Sequence, residues 1–274
     1  MQASKTTTMR TNYEICLSGK SCILVPYRPE HLPNYHDWMQ DPFLLEVTAS
    51  ETLTMEEEIE MQQEWRDDER KCTFIILARD LTSNDFDEDE QFQVPPPPID
   101  KEQDKMIYPY LVERTLVAMI GDINLFLSEE EDDVDTCDWN QLTTCNTQAD
   151  ERKPFSQAEL DIMIAKESHR HKGLGAELAL MMMHYGASAL GIRRFFVKIK
   201  DTNTSSIRLF RDKLGFVQCS YAECFGEYEF ECKQETAAEM TRWVQAKWNM
   251  CCIDTGENVD NLRLYDVHKC PLNE

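Results

Sequence analysis

Two pairs of residues in one stretch of this chain have the types and spacing to do chemistry. Glu159 and Asp161 stand two apart in the alternating segment Ala158 to Ala165, and Gly173 and Gly175 flank Leu174 in Arg170-His171-Lys172-Gly173-Leu174-Gly175. Alternation of polar and apolar residues is the signature of a strand, so the two carboxylates share one face. A carboxylate in that position can take a proton directly or through a water. A glycine loop between a strand and a helix offers an anion the unpaired N–H groups and positive dipole end of the helix. Gly173 and Gly175 let the backbone approach a phosphate with no Cβ in the way, and Arg170, His171 and Lys172 add positive charge. Together these are a pyrophosphate cradle and a candidate general base. The loop is not a P-loop, since no Gly-Lys-Ser/Thr follows, and it lacks the third glycine of a dinucleotide fingerprint. A plain strand-to-helix turn, with both carboxylates solvated or paired to a lysine, is the bland alternative.

These residues need elements to hold them. The run Ala176 to Leu190 is too long and too rich in Ala, Leu and Met for a strand, and predicts a buried helix stopped by Gly191. Arg193 to Lys200 predicts a second strand. A polar turn over 201–205 leads to a short helix ending at Lys213-Leu214-Gly215-Phe216, in which Asn203 and Ser206 are natural helix caps. Upstream, Cys22 to Pro26 reads as a strand and Glu30 to Met39 as a helix stopped by Asp41-Pro42. Thr54 and Glu57 form a capping box for a helix reaching about Glu69. Met55, Ile59, Met61 and Trp65 supply its apolar stripe, and Glu56, Glu57, Glu58 and Glu60 its solvated side. Cys72 to Ala78 reads as a central strand buried on both faces. Thr115 to Leu127 is its partner, with Gly121 at a bulge. Residues 217–232 read as a hairpin or one bulged strand. The segment Thr236 to Asn249 is an amphipathic helix with Ala237, Met240, Trp243, Val244 and Trp248 on one face, to cap the sheet or meet a partner.

The chain has 274 residues and a formal net charge of −23, which disfavours nucleic acid and acidic membranes as partners. No apolar run reaches the length of a membrane span, and Met1 to Arg10 lacks the apolar core of a secretory signal. The eleven cysteines include no Cys-x-x-Cys pair. Reduced, mostly buried thiols in the cytoplasm are expected, with no metal site. Residues 81–111 hold eight acids against two lysines and the run Pro95-Pro96-Pro97-Pro98; residues 129–156 hold nine acids against one arginine and one lysine. Both read as acidic insertions unable to form a core. The expected plan is a flexible arm over 1–20, a main domain over 21–232 carrying the two insertions, and a C-terminal helix and tail over 233–274.

The order strand, Arg-x-x-Gly-x-Gly, helix, strand, Asn-x-x-Ser, Leu-Phe, Lys-Leu-Gly-Phe resembles the GCN5-related N-acetyltransferase (GNAT) superfamily. Arg170, Gly173 and Gly175 carry the first motif; Asn203, Ser206, Leu209, Phe210, Lys213, Gly215 and Phe216 carry the second. Further stretches, Ile23 to Tyr27, His36 to Met39, Leu45 to Thr54, Lys71 to Ile75 and Gly121 to Leu127, are similar to the N-acetyltransferase nine subfamily, which is described as acetylating the N-termini of α- and β-tubulin. The resemblance covers about residues 20–80, 115–128 and 156–232.

The resemblance implies an α/β fold: a central mixed, mostly antiparallel sheet, splayed at the acetyl-CoA site and flanked by helices. Acetyl-CoA is the implied acyl donor. It would run beside Ile162, Met163 and Ile164 and meet Arg170, His171, Lys172, Gly173, Leu174, Gly175, Asn203, Ser206 and Phe210. Glu159 is preferred slightly over Asp161 as the base. Phe210 stands where many members have a tyrosine that protonates the departing thiolate. Tyr221 or Tyr228 would then serve, or the thiolate leaves unassisted, free thiols ionising near pH ~8.5. The implied substrate is a protein N-terminus, that of tubulin, met by a cytoplasmic monomer with no nucleic-acid or membrane partner. An acetyltransferase for lysine or small amines, or a microtubule-binding adaptor with this fold, are the alternatives.

Overall fold

The run from Lys71 to Ala78 is buried at every position, which requires a strand covered on both faces. It lies in the middle of a nine-stranded sheet. The computed structural model describes residue 12 and residues 15–82, 115–129, 155–252 and 263–266. In chain order the strands are β1 (Ile15–Ser18), β2 (Cys22–Pro26), β3 (Lys71–Ala78), β4 (Met119–Ser128), β5 (Gln157–Ile164), β6 (Arg194–Lys200), β7 (Val217–Ala222), β8 (Glu227–Lys233) and β9 (Arg263–Asp266). The helices are α1 (Leu32–Trp38), α2 (Pro42–Val47), α3 (Met55–Asp67), α4 (Arg79–Thr82), α5 (Leu174–Leu190), α6 (Thr204–Ile207) and α7 (Ala237–Cys252). A wide turn of π-helix, Arg208–Leu214, continues α6.

Spatial order is β7-β8-β6-β5-β4-β3-β2-β1-β9. The β5–β6 pair is parallel and every other pair antiparallel, so the sheet is mixed and mostly antiparallel as expected. One apolar cluster joins β2, β3, β4 and β5 to α5, the 204–216 segment and α7. A second fills the opposite face, joining Ile23, Val25, Ile75, Leu77 and Met163 to Leu32, Tyr35, Met39 and Leu44. Glu177, in the first turn of α5, accepts hydrogen bonds from the N–H groups of Ser21 (2.7 Å) and Cys22 (3.3 Å), which pins that helix to the β1–β2 turn.

Several expectations change in detail. Residues 15–18 belong to the sheet rather than to a flexible arm, with Cys16 and Leu17 buried, and β9, from the tail, pairs with β1. Asp41 stops one helix and starts the next, accepting from the N–H of Phe43 at 2.9 Å. The α3 capping box forms as expected, but the buried side of α3 is Glu58 and Gln62, while Ile59 is exposed. That side closes over Tyr27, whose carbonyl accepts from Gln62 Nε2 at 3.1 Å, so a polar pair one turn apart is buried instead of the apolar stripe. Met240, Val244 and Trp248 of α7 pack on α5 rather than on the sheet. Cys72 is buried, but Cys219, on the outer strand β7, is exposed. The acidic insertions lie almost wholly outside the described residues. Among the described residues no helix is long and apolar enough to cross a membrane.

Candidate active site

The sheet opens at its one parallel pair. β5 and β6 pair only from Gln157 opposite Arg194 to Glu159 opposite Phe196. β5 continues to Ile164 and β6 to Lys200, but among the described residues they no longer pair with each other. On its other side β5 stays paired with β4 along its whole length. The backbone of Ile162, Met163 and Ile164 therefore has one edge with no strand partner, as a splayed sheet requires. The β3–β4 pairing carries a bulge beside Gly121. Gly121 stands opposite Ile76 and Met119 opposite Leu77, leaving Ile120 as the extra residue. A Cβ on Gly121 would lie 1.9 Å from the Met163 carbonyl oxygen, so only glycine allows β4 to press against β5 there.

The chain leaves β5 through the glycine loop. Arg170 donates from Nε to the Ile164 carbonyl (2.8 Å) and from Nη2 to the Ala165 carbonyl (2.7 Å), and stacks 4.8 Å from the Phe43 ring centre. It thus braces the end of β5. His171 and Lys172 are exposed, and His171 (φ 61°) and Gly173 (φ 83°) are both left-handed, a loop geometry in which successive amides can converge on an anion. Gly173 caps α5 with no side chain on the helix's first amides, and a Cβ there would meet nothing within 4 Å. Gly175 is small for another reason: its Cβ would come within 2.8 Å of Leu209, where α5 packs on the π-helical turn. Leu174 is buried, and Asn203 Oδ1 accepts from the Ser206 N–H (3.1 Å), capping α6. Phe210 is buried edge-on against Phe216, with centroids 5.2 Å apart.

On the face covered by α1–α3, the two candidate carboxylates have unlike surroundings. Glu159 Oε2 accepts from Lys198 Nζ at 2.7 Å. Among the described residues Asp161 has no such partner. It opens to solvent yet is crowded by protein, as on the floor of a cleft. Burial pushes its carboxyl above the usual range and the Glu159 charge adds to this, while the Lys71 ammonium opposes both. Across the strands Thr73, Asn124 and Asp161 stand in one row, and Ile75, Asp122 and Met163 in the next. Asn124 donates to Asp122 (2.8 Å) and accepts from the Thr73 hydroxyl (2.6 Å). Burial, reinforced by Asp161, pushes Asp122 up to about 7. A small recess beside this row is lined by Asn12, Tyr27, Gln62, Trp65, Arg66 and Thr73.

The Acetyltransferase (GNAT) domain family matches residues 22–217. The chain belongs to this family. An N-acetyltransferase 9-like protein of Nematostella vectensis is 38% identical over 219 residues, spanning 80% of this chain and 86% of the relative. The human alpha/beta-tubulin-N-acetyltransferase 9 is 34% identical over 245 residues, spanning 87% and 95%. Among solved structures, a Mycobacterium smegmatis RimJ in complex with CoA-disulfide superposes with a TM-score of 0.52 at 11% identity (84% and 94% covered). A Vibrio cholerae spermidine N-acetyltransferase in complex with CoA and spermine gives 0.51 at 13% (80% and 98%). At those identities the likeness shows the fold alone.

As a GNAT acetyltransferase this protein uses acetyl-CoA, and its residues fit that group. The open space where a Gly173 Cβ would stand and the uncapped start of α5 suit a pyrophosphate. The unpaired edge of β5 suits the amides of a pantetheine arm. The sequence reading missed Lys71, Asp122 and Asn124. The signal was there in Asp122 and Asn124, two polar residues on one side of an otherwise apolar strand. Nothing marked Lys71, which reads as an ordinary strand end. Among the described residues no group of His, Cys, Asp and Glu is placed to hold a metal ion.

Proposed function

We propose that this GNAT enzyme acetylates the α-amine of protein N-termini, those of α- and β-tubulin, in the cytoplasm and on microtubules or their subunits. The tubulin assignment is supported by the names of relatives from human, mouse and Drosophila melanogaster at 34–36% identity. Acetyl-CoA supplies the activated acetyl group. The chain must take a proton from the acceptor ammonium, since only the neutral amine has a lone pair to attack with.

The observation that carries the mechanism is the difference between Glu159 and Asp161. A carboxylate held at 2.7 Å by an ammonium is a poor base; a carboxyl raised by burial and open to the cleft is a good one. Asp161 is therefore the base in this reading, and Glu159 with Lys198 forms the wall where β5 and β6 part. For the departing thiol, the Tyr221 hydroxyl donates to Asp201 at 3.0 Å and is engaged. Tyr228 packs against the same cluster as Phe210 and is the acid in its place. Mass spectrometry of synthetic α- and β-tubulin N-terminal peptides, incubated with acetyl-CoA and enzyme, tests the reading. Acetyl on the α-amine, lost with Asp161→Asn, supports it. Acetyl on lysine side chains or on polyamines only would replace the substrate assignment.

A further inference from the structure

Lys71 sits at the start of β3, 8% exposed, between two aromatic rings. Its Nζ lies 2.8 Å from the centre of the Trp65 ring and 4.7 Å from that of Phe126. Among the described residues no carboxylate is within ion-pairing distance of it. Removing an ammonium from water without an acceptor is costly, and two aromatic faces recover only part of that cost. A buried cation so placed needs another reason to be there.

The register supplies one. Lys71 stands opposite Phe126, and Phe126 opposite Glu159; one row along are Thr73, Asn124 and Asp161, and one further are Ile75, Asp122 and Met163. Residues opposite one another, and residues two apart, share a face of a sheet. Lys71, Asp122 and Asp161 therefore lie on one face of three adjacent strands. Two carboxyl groups this close, with Glu159 a third, resist being ionised together. A cation among them decides whether the one open to the cleft can act as a base.

We propose that Lys71 is the positioning residue that keeps Asp161 ionised near neutral pH, through its charge rather than through contact with substrate. This rests on the reading of Asp161 as the base. When the acceptor ammonium gives up its proton, the N–H bond breaks and an O–H bond forms on Asp161; no bond to Lys71 changes. The proton then leaves Asp161 to the solvent it faces. The groups that face this cluster are Glu159 with its partner Lys198 from β6, Asp68 at the end of α3, Glu58 within α3, Tyr27 after β2, and Tyr35 on α1. Burial pushes Lys71 down to about 7 against the pull of Asp122, Asp161 and Asp68, so the members titrate together rather than singly.

The first test needs no acceptor. Carbon-13 NMR titration of the Asp161 carboxyl in the full chain and in Lys71→Met reads the coupling directly. The Asp161 transition is expected to move to higher pH in Lys71→Met and to stay in place in Lys71→Arg. Should Lys71→Met fail to fold, Lys71→Gln takes its place. The second test is the pH profile of kcat/KM with a synthetic α-tubulin N-terminal peptide. Lys71→Met is expected to lose about tenfold on the acid limb and within about twofold on the alkaline plateau, with Lys71→Arg restoring the acid limb. An Asp161 transition that does not move in a folded Lys71→Met overturns the proposal, as does an equal move in Lys71→Arg. Full turnover in Asp161→Asn instead overturns the assignment of the base, and the role of Lys71 falls with it.

Discussion

The Lys198 ammonium donates to Glu159 Oε2 at 2.7 Å, just past the last rung on which β5 and β6 still pair. That contact separates two carboxylates that alternation places on the same face. Glu159→Gln keeps a hydrogen-bond acceptor for Lys198 and is expected to lower kcat by less than about tenfold. Asp161→Asn removes the base and is expected to lower it by about a hundredfold or more. Steady-state kinetics at saturating acetyl-CoA measure both. Equal losses in the two variants would return Glu159 to the chemistry.

Gly173→Trp is expected to abolish measurable acetyl-CoA binding in calorimetry while the protein stays folded. The left-handed backbone of Gly173 (φ 83°) costs any other residue about 1–2 kcal/mol, well short of unfolding a domain. The side chain would enter the open space before α5, where a Cβ touches nothing within 4 Å. Wild-type affinity in this variant would remove the cradle.

Gly121→Ala tests the bulge rather than the ligand. Its Cβ would stand 1.9 Å from the Met163 carbonyl oxygen, a backbone atom that cannot swing aside. Overpacking of this kind is expected to destabilise the protein by about 1–3 kcal/mol in denaturant titration. It is also expected to lower turnover, because β5 carries Asp161.

The buried imidazole of His31 is expected to make the protein acid-sensitive. Burial, with Arg28 adding to it, holds its pKa down to about 3, and its Nδ1 accepts from the Arg28 N–H at 3.1 Å. The unfolded chain binds this proton below about pH 6.5 and the folded chain does not, so stability is lost as pH falls from that value towards about 3. At pH 5 the loss is on the order of 2 kcal/mol. His31→Asn, which keeps an acceptor near the Nδ1 position, is expected to flatten the difference in unfolding free energy between pH 7 and pH 5. An unchanged difference would assign the acid sensitivity to other groups.

Tyr228→Phe is expected to lower kcat several-fold with little change in acetyl-CoA affinity, the loss of a general acid from a leaving thiol that departs tolerably by itself. Stopped-flow release of CoA measures it. An unaffected rate would mean that the thiolate leaves unassisted, as Phe210 by itself suggests.

The sequence by itself determined the family, the glycine loop and most of the elements. Each of these rests on short-range spacing: Arg170 to Gly175 in a strand-to-helix turn, the apolar run closed by Gly191, the capping box of Thr54 and Glu57. Alternation put Glu159 and Asp161 on one face, but could not distinguish them. Only the tertiary structure did so, because the distinction is made by Lys198 from β6, thirty-nine residues away along the chain. The same holds for Lys71, Asp122 and Asn124, which share a face with Asp161 only because β3, β4 and β5 pair in this register. It holds for Glu58, which local periodicity assigns to solvent and which the packing of α3 against α1 buries beside His36 at 3.2 Å. Local pattern records what a segment prefers. Which charge stands beside which is decided by long-range pairing, and the chemistry of this cleft depends on that.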